Sequence, residues 1–147
     1  MFKGHTSTIE GIAFSPDGRF LVSGSHDSSV RIWNLRDGSS KVIPVPRRTN
    51  AFVSVAFSPD GRHIAAGNVD NALWIWDARS HKPVAKWRGH TDRVNCIEFT
   101  PDGKGLMSGS YDVKYWDVSS LGTGSGPQRF PEIRRFSGHT VRFLCLL

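Results

Sequence analysis

The sequence predicts an all-β chain of about three four-stranded antiparallel units, with the start of a fourth. Three observations carry that reading. A Pro-Asp-Gly turn recurs at Pro16, Pro59 and Pro101, and tryptophan recurs at Trp33, Trp76 and Trp116, each at a step of roughly 42 residues. Between these marks lie short runs of alternating apolar and polar side chains, the period of a strand with one face in a core. Residues with turn chemistry punctuate the runs.

In the first unit Ile9, Gly11 and Ala13 alternate with Glu10, Ile12 and Phe14. Pro16-Asp17-Gly18 then closes a hairpin, proline fixing φ and glycine leaving it free. "RFLVSGS" reads as the second strand, "HDSS" as a turn, "VRIWNL" as the third strand, "RDGSS" as a turn and "KVIPVP" as the fourth strand. Four short strands in such a period are the measure of one propeller blade. The expected blades span about 5–46, 50–88 and 90–137, with a fourth beginning over 138–147. A Gly/Ser/Pro-rich insertion at 119–131 lengthens the third, and its composition predicts a mobile loop.

Composition narrows the class. The 147 residues are 38% apolar and 22% charged, ordinary for a globular chain. The longest apolar run, "FLCLL", falls far short of the roughly 20 residues of a spanning helix, and "MFKGHTSTIE" lacks the apolar core of a secretory signal. Cys96 and Cys145 fit no metal or redox spacing, so reduced thiols in an intracellular compartment are expected. The net charge of +6 taken alone favours acidic partners or nucleic acid. Its carriers, including Arg31, Lys41, Arg62, Lys82, Arg93 and Lys104, are scattered at expected strand ends and turns, and no nucleic-acid-binding motif accompanies them.

Gly-His pairs stand at Gly4-His5, Gly89-His90 and Gly138-His139, and the corresponding place in the second unit holds Arg48. With Gly-His at one end of the unit and Trp-Asp at the other, the chain resembles WD-repeat β-propellers over nearly its whole length. The resemblance implies a buried hydrogen-bonded chain in each blade: His5, Ser23, Asp27 and Trp33 in the first, and His90, Ser108, Asp112 and Trp116 in the third. The second keeps Asp70 and Trp76 but has Ala66 at the serine position, so its chain is expected to be incomplete. The physical reason is plain, since a buried indole N–H and an imidazole both need partners.

Those recurring residues argue against catalysis. A Ser-His-Asp nucleophilic set occurs once, at a singular site, whereas these return with the structural period. No G-x-S-x-G elbow is present, "GTGSGP" (Gly122 to Pro127) lacks the full phosphate-loop pattern, and His26, His63 and His81 have no metal-ligand spacing. The expectation is a non-enzymatic scaffold without cofactor or metal. By resemblance its partner-binding surface receives His26, Val69 and Tyr111, each just before a turn aspartate. Ser7, Thr8, Asn50, Asp92 and Arg93 join them, with Tyr111 and Arg93 as the expected anchors.

The order of irregularities is similar to that in the propeller of the fungal Tup-type general transcriptional corepressors. That resemblance implies a nuclear protein that binds DNA-bound repressors without touching DNA. A WD-repeat adaptor or sensor segment of a fungal signalling or ubiquitin-ligase protein is the alternative, and a basic nucleic-acid-binding protein is the alternative of another class. Three blades do not close a ring, so a fragment is expected, its remaining blades supplied by a longer chain or by self-association.

One turn differs. "SGSHDSSVRIWNL" has five residues between aspartate and tryptophan, and "SGSYDVKYWDV" has three. Losing two preserves which face each side chain presents. The third blade is therefore expected to survive, with Asp112 no longer reaching His90.

Overall fold

The computed structural model describes residues 2–46, 49–122, 130 and 132–136. They form three four-stranded antiparallel sheets, each a simple meander. The first holds β1 (Ile9–Phe14), β2 (Phe20–Ser25), β3 (Val30–Asn34) and β4 (Ser40–Ile43). The second holds β5 (Phe52–Phe57), β6 (His63–Asn68), β7 (Ala72–Asp77) and β8 (Pro83–Arg88). The third holds β9 (Cys96–Phe99), β10 (Gly105–Gly109), β11 (Val113–Asp117) and β12 (Glu132–Phe136). This is the all-β architecture of three adjoining propeller blades. Arg48, most of the 119–131 insertion, Cys145 and the expected fourth unit at 138–147 lie outside the described residues. Among those described, no helix is long and apolar enough to cross a membrane.

The first hairpin of every blade turns on the same chemistry. Ser15 Oγ donates to Asp17 (2.6 Å) and accepts from the Phe20 N–H (2.9 Å). Gly18 takes φ +67°, in the left-handed region that costs glycine little. Ser58, Asp60 and Gly61 repeat the arrangement, as do Thr100, Asp102 and Gly103. Register follows, with Trp33 opposite Leu21, Trp76 opposite Ile64 and Trp116 opposite Leu106.

Two apolar seams join the blades. The first gathers Val22, Ile32 and Ile43 with Phe52, Phe57, Trp74 and Trp76. The second gathers Ala65, Ile75 and Ala85 with Val94, Ile97, Phe99 and Trp116. Gly67 marks how closely neighbouring segments pass: a Cβ there would lie 2.6 Å from Val94 and 2.7 Å from Ser54 Oγ. The same strand positions show what a missing neighbour leaves open. Phe57 and Phe99 are 8% and 6% exposed, whereas Phe14 on the outer face of the first blade is 64% exposed. Phe2 covers part of that face by packing edge-on against Trp33 at 5.7 Å, as Trp87 packs on Trp116 at 5.5 Å.

Three expectations are corrected. Arg31 does not sit at a strand end facing water. It lies within β3, half-buried, with its guanidinium 5.9 Å from the Trp33 ring and donating to Ser40 Oγ at 3.2 Å. Phe130, inside the insertion expected to be a mobile loop, is itself buried and packs edge-on against Trp87 at 5.5 Å. Cys96 is disulfide-bonded rather than the free thiol expected.

Candidate functional site

Antiparallel meanders send alternate turns to opposite ends of a blade. The β2–β3, β6–β7 and β10–β11 turns therefore share one end with the segments that lead into β1, β5 and β9. This turn face holds every partner-binding residue expected from the sequence, and beneath it lie the polar chains that hold its turns.

In the first blade His5 Nδ1 is 2.8 Å from Asp27, His5 Nε2 is 2.7 Å from Ser23 Oγ, and the Trp33 Nε1–H donates to Ser23 Oγ at 2.7 Å. The directions are dictated by chemistry. Ser23 accepts from the indole, so its own hydrogen goes to His5 Nε2, and Nδ1–H then donates to the carboxylate. Asp27 also accepts from the Thr6 N–H (2.9 Å), the Ser29 N–H (3.0 Å) and Ser29 Oγ (2.6 Å). Burial opposes its ionisation, but these hydrogen bonds outweigh burial and hold its pKa far below the usual carboxylate range.

The third blade repeats the chain and corrects the expectation of a broken one. His90 Nδ1 is 2.9 Å from Asp112, His90 Nε2 is 2.7 Å from Ser108 Oγ, and Trp116 Nε1–H donates to Ser108 at 2.8 Å. The two missing residues are taken from the tip alone: Gly109 pairs with Val113 as Gly24 pairs with Val30. Ser110 N–H bonds directly to the Asp112 carbonyl at 2.9 Å and keeps the aspartate beside the histidine. What changes is the other carboxylate oxygen, which receives Arg135 Nε of β12 at 2.6 Å. Burial lowers the His90 pKa, with Asp112 opposing.

The second blade is built otherwise. Ala66 stands where serine would be, and Trp76 Nε1, fully buried, has no hydrogen-bond partner among the described residues. Trp74 stacks on Trp76 at 5.6 Å and 6°, and Phe52 meets both rings edge-on. Register places Trp74 where the other blades carry Arg31 and Lys114, each beside its own tryptophan. Asp70 accepts from Asn50 Nδ2 at 2.7 Å, so Asn50 ties the entering segment to the turn.

The surface residues differ in availability. Tyr111 is 53% exposed at the tip of the shortened turn. His26 is exposed and 3.2 Å from Glu10, and Val69 is half-buried, its N–H donating to the Ala51 carbonyl at 3.0 Å. Arg93 is half-buried, its N–H donating to Asp92 at 2.7 Å and its Nε to Asn95. Sequence reasoning missed Arg135 and Asn50 as partners of turn aspartates, because each lies far from its aspartate along the chain. Among the described residues no group of three His, Cys, Asp or Glu is placed to hold a metal ion.

Comparison with known proteins agrees with this geometry. A 53-residue stretch is 40% identical to WD40 repeat-containing protein HOS15 of Arabidopsis thaliana, covering 36% of this chain and 9% of that protein. A 35-residue stretch is 51% identical to ribosome assembly protein 4 of Saccharomyces cerevisiae, covering 24% and 7%. Another of 35 residues is 57% identical to the probable cytosolic iron-sulfur protein assembly protein Ciao1 of Culex quinquefasciatus, covering 24% and 10%. These matches span a tenth or less of each relative. Among solved structures, those described as U3-55K and as the RRP9 WD40 repeats superpose with a TM-score of 0.84 at 26% identity, over 96% of this chain and 42% of each of those chains. The repeat described as WD domain, G-beta repeat matches residues 1–34, 44–77 and 81–112, and the chain belongs to the WD40 family.

Proposed function

We propose that the turn face is a protein-docking platform and that the chain acts as a non-enzymatic scaffold. One observation carries the reading: three rigid blades present His26, Val69 and Tyr111 at equivalent tips on one end, over polar or aromatic supports that fix each turn. Tyr111 is the principal anchor, exposed and amphipathic. Arg93 contributes through the part of its guanidinium that Asn95 leaves open. Asn50 acts chiefly by holding Asp70.

Within that reading, the partner is a DNA-bound repressor protein and the setting nuclear, on the strength of the corepressor-like order of irregular blades. Relatives named for ribosome assembly and biogenesis favour a second reading, a protein partner within a ribosome-assembly complex. In either case further blades, from a longer chain or a second copy, cover the exposed Phe14 face. Replacing Tyr111 and Arg93 by alanine, with binding followed to immobilised repressor and ribosome-assembly proteins, tests the platform. The expected outcome is at least about tenfold weaker protein binding, the scale of one hot-spot residue, with binding to duplex DNA unchanged. Unchanged protein binding, or DNA binding that falls steeply with salt and with these substitutions, overturns it.

A further inference from the structure

The end opposite the turn face carries a groove that the platform reading does not use. It lies between the first and second blades, beside the Pro-Asp-Gly turns, and encloses about 860 Å³. The corresponding place between the second and third blades encloses about 190 Å³. The difference has a residue-level cause. Val118, immediately after the third blade's Trp-Asp pair, is 1% exposed and fills that seam, and Leu121, three residues on, packs against the same core. In the second blade these places hold Ala78 and His81, and both line the wide groove.

The groove is apolar at its floor and charged at its rim. Phe20, Ile32, Phe57 and Ala78 form the floor. The rim carboxylates are already engaged: Asp17 by Ser15 Oγ and Arg19 Nε, Asp60 by Ser58 Oγ and the Arg62 N–H, and Asp77 by the Ser80 N–H and hydroxyl. Of the rim cations Arg19 is thus paired, and the others are not matched in this way. The Lys41 and Arg79 side chains are exposed and make no hydrogen bond or ion pair within the described residues, and Arg62 Nε is 4.0 Å from Asp60.

We propose that this groove between the first two blades is a second docking site, taking an extended acidic peptide. A bulky aliphatic side chain of the peptide enters the floor, and its flanking carboxylates meet Lys41 and Arg79. Two unpaired cations set apart on the rim, Lys41 and Arg79, suit separated carboxylates flanking an aliphatic anchor, while the engaged aspartates between them oppose the continuous phosphates of a nucleic acid.

The test is fluorescence polarisation of the full 147-residue chain with a labelled octapeptide of two central leucines flanked by glutamates. Its lysine-flanked analogue and an oligouridylate serve as competitors. Saturable binding is expected, competed by neither. Arg79→Glu and Lys41→Glu, both surface changes, are each expected to weaken it about tenfold, the scale of one charge reversal at a partly shielded rim. Ala78→Val with His81→Leu copies the filled seam and is expected to abolish it, while Tyr111→Ala leaves it unchanged, separating this site from the platform. No saturable binding, competition by oligouridylate, or affinity indifferent to the charge reversals overturns the proposal.

Discussion

The second blade and its two neighbours solve the same problem with different chemistry. In the first and third, the central tryptophan donates to a serine, the serine donates to a histidine, and the histidine donates to a turn aspartate, while a cation lies beside the indole. In the second, alanine replaces the serine and Trp74 replaces the cation, so two stacked indoles and Phe52 occupy the seam. A hydrogen-bonded chain is directional and fixes one turn geometry. Aromatic burial supplies more contact area but leaves the Trp76 N–H without a described acceptor. Blade geometry is therefore set by strand register and seam packing, and the polar chain secures the turn above it.

The largest effect should come from removing the aromatic solution. Trp76→Ala empties the centre of the first seam and is expected to cost about 3–5 kcal/mol, read as a lowered urea midpoint. A loss as small as that of a surface substitution would mean that the stack carries little of the blade. Next comes Ser108→Ala, which strands the buried Trp116 N–H and His90 Nε2, at about 1–3 kcal/mol per unsatisfied group. A neutral result would show that the chain is decorative.

A smaller loss is expected on acidification. Burial holds the His90 pKa below its ordinary value, so the folded state resists a proton that the unfolded state accepts. The contribution is therefore complete above about pH 6.5 and is lost as pH falls through the lowered folded pKa. His63, also lowered by burial, adds a slope of the same sign. His90→Gln should flatten the dependence of the urea midpoint between pH 7.5 and 5.5 without removing it, and an unchanged profile would exclude His90 as a contributor. The smallest effect is a gain. Ala66→Ser places a hydroxyl at the register position from which Ser23 serves Trp33, and is expected to stabilise by about 1 kcal/mol. Failure to gain would show that the serine works only with a histidine behind it.

Much of this was legible in sequence. The tryptophan period and the Pro-Asp-Gly turns locate the strands because alternation and turn chemistry are local properties. The polar chain of the first blade was legible only through the resemblance of its Gly-His and Trp-Asp motifs to WD repeats. The fate of Asp112 does not, because a shorter turn can move an aspartate away from its histidine or draw it closer. The choice rests on the Ser110 to Asp112 backbone bond. Asn50 at Asp70 and Arg135 at Asp112 were invisible for the same reason, since each partner comes from a distant segment. The width of the groove depends on whether Ala78 or Val118 meets the neighbouring blade, and only the assembled seam shows it.

The shortened third turn carries a consequence for how such a scaffold can vary. Because side chains alternate along β10 and β11, a tip that loses or gains residues in pairs leaves every inward side chain inward, and Asp112 stays beside His90 with two fewer residues. The faces are held by the Gly109 to Val113 pairing below the tip, so residues can be exchanged above it without turning a strand. Diversity at this rim is therefore uncoupled from the blade beneath, and a library grafted into the β10–β11 tip should keep that pair and the Ser110 to Asp112 backbone bond.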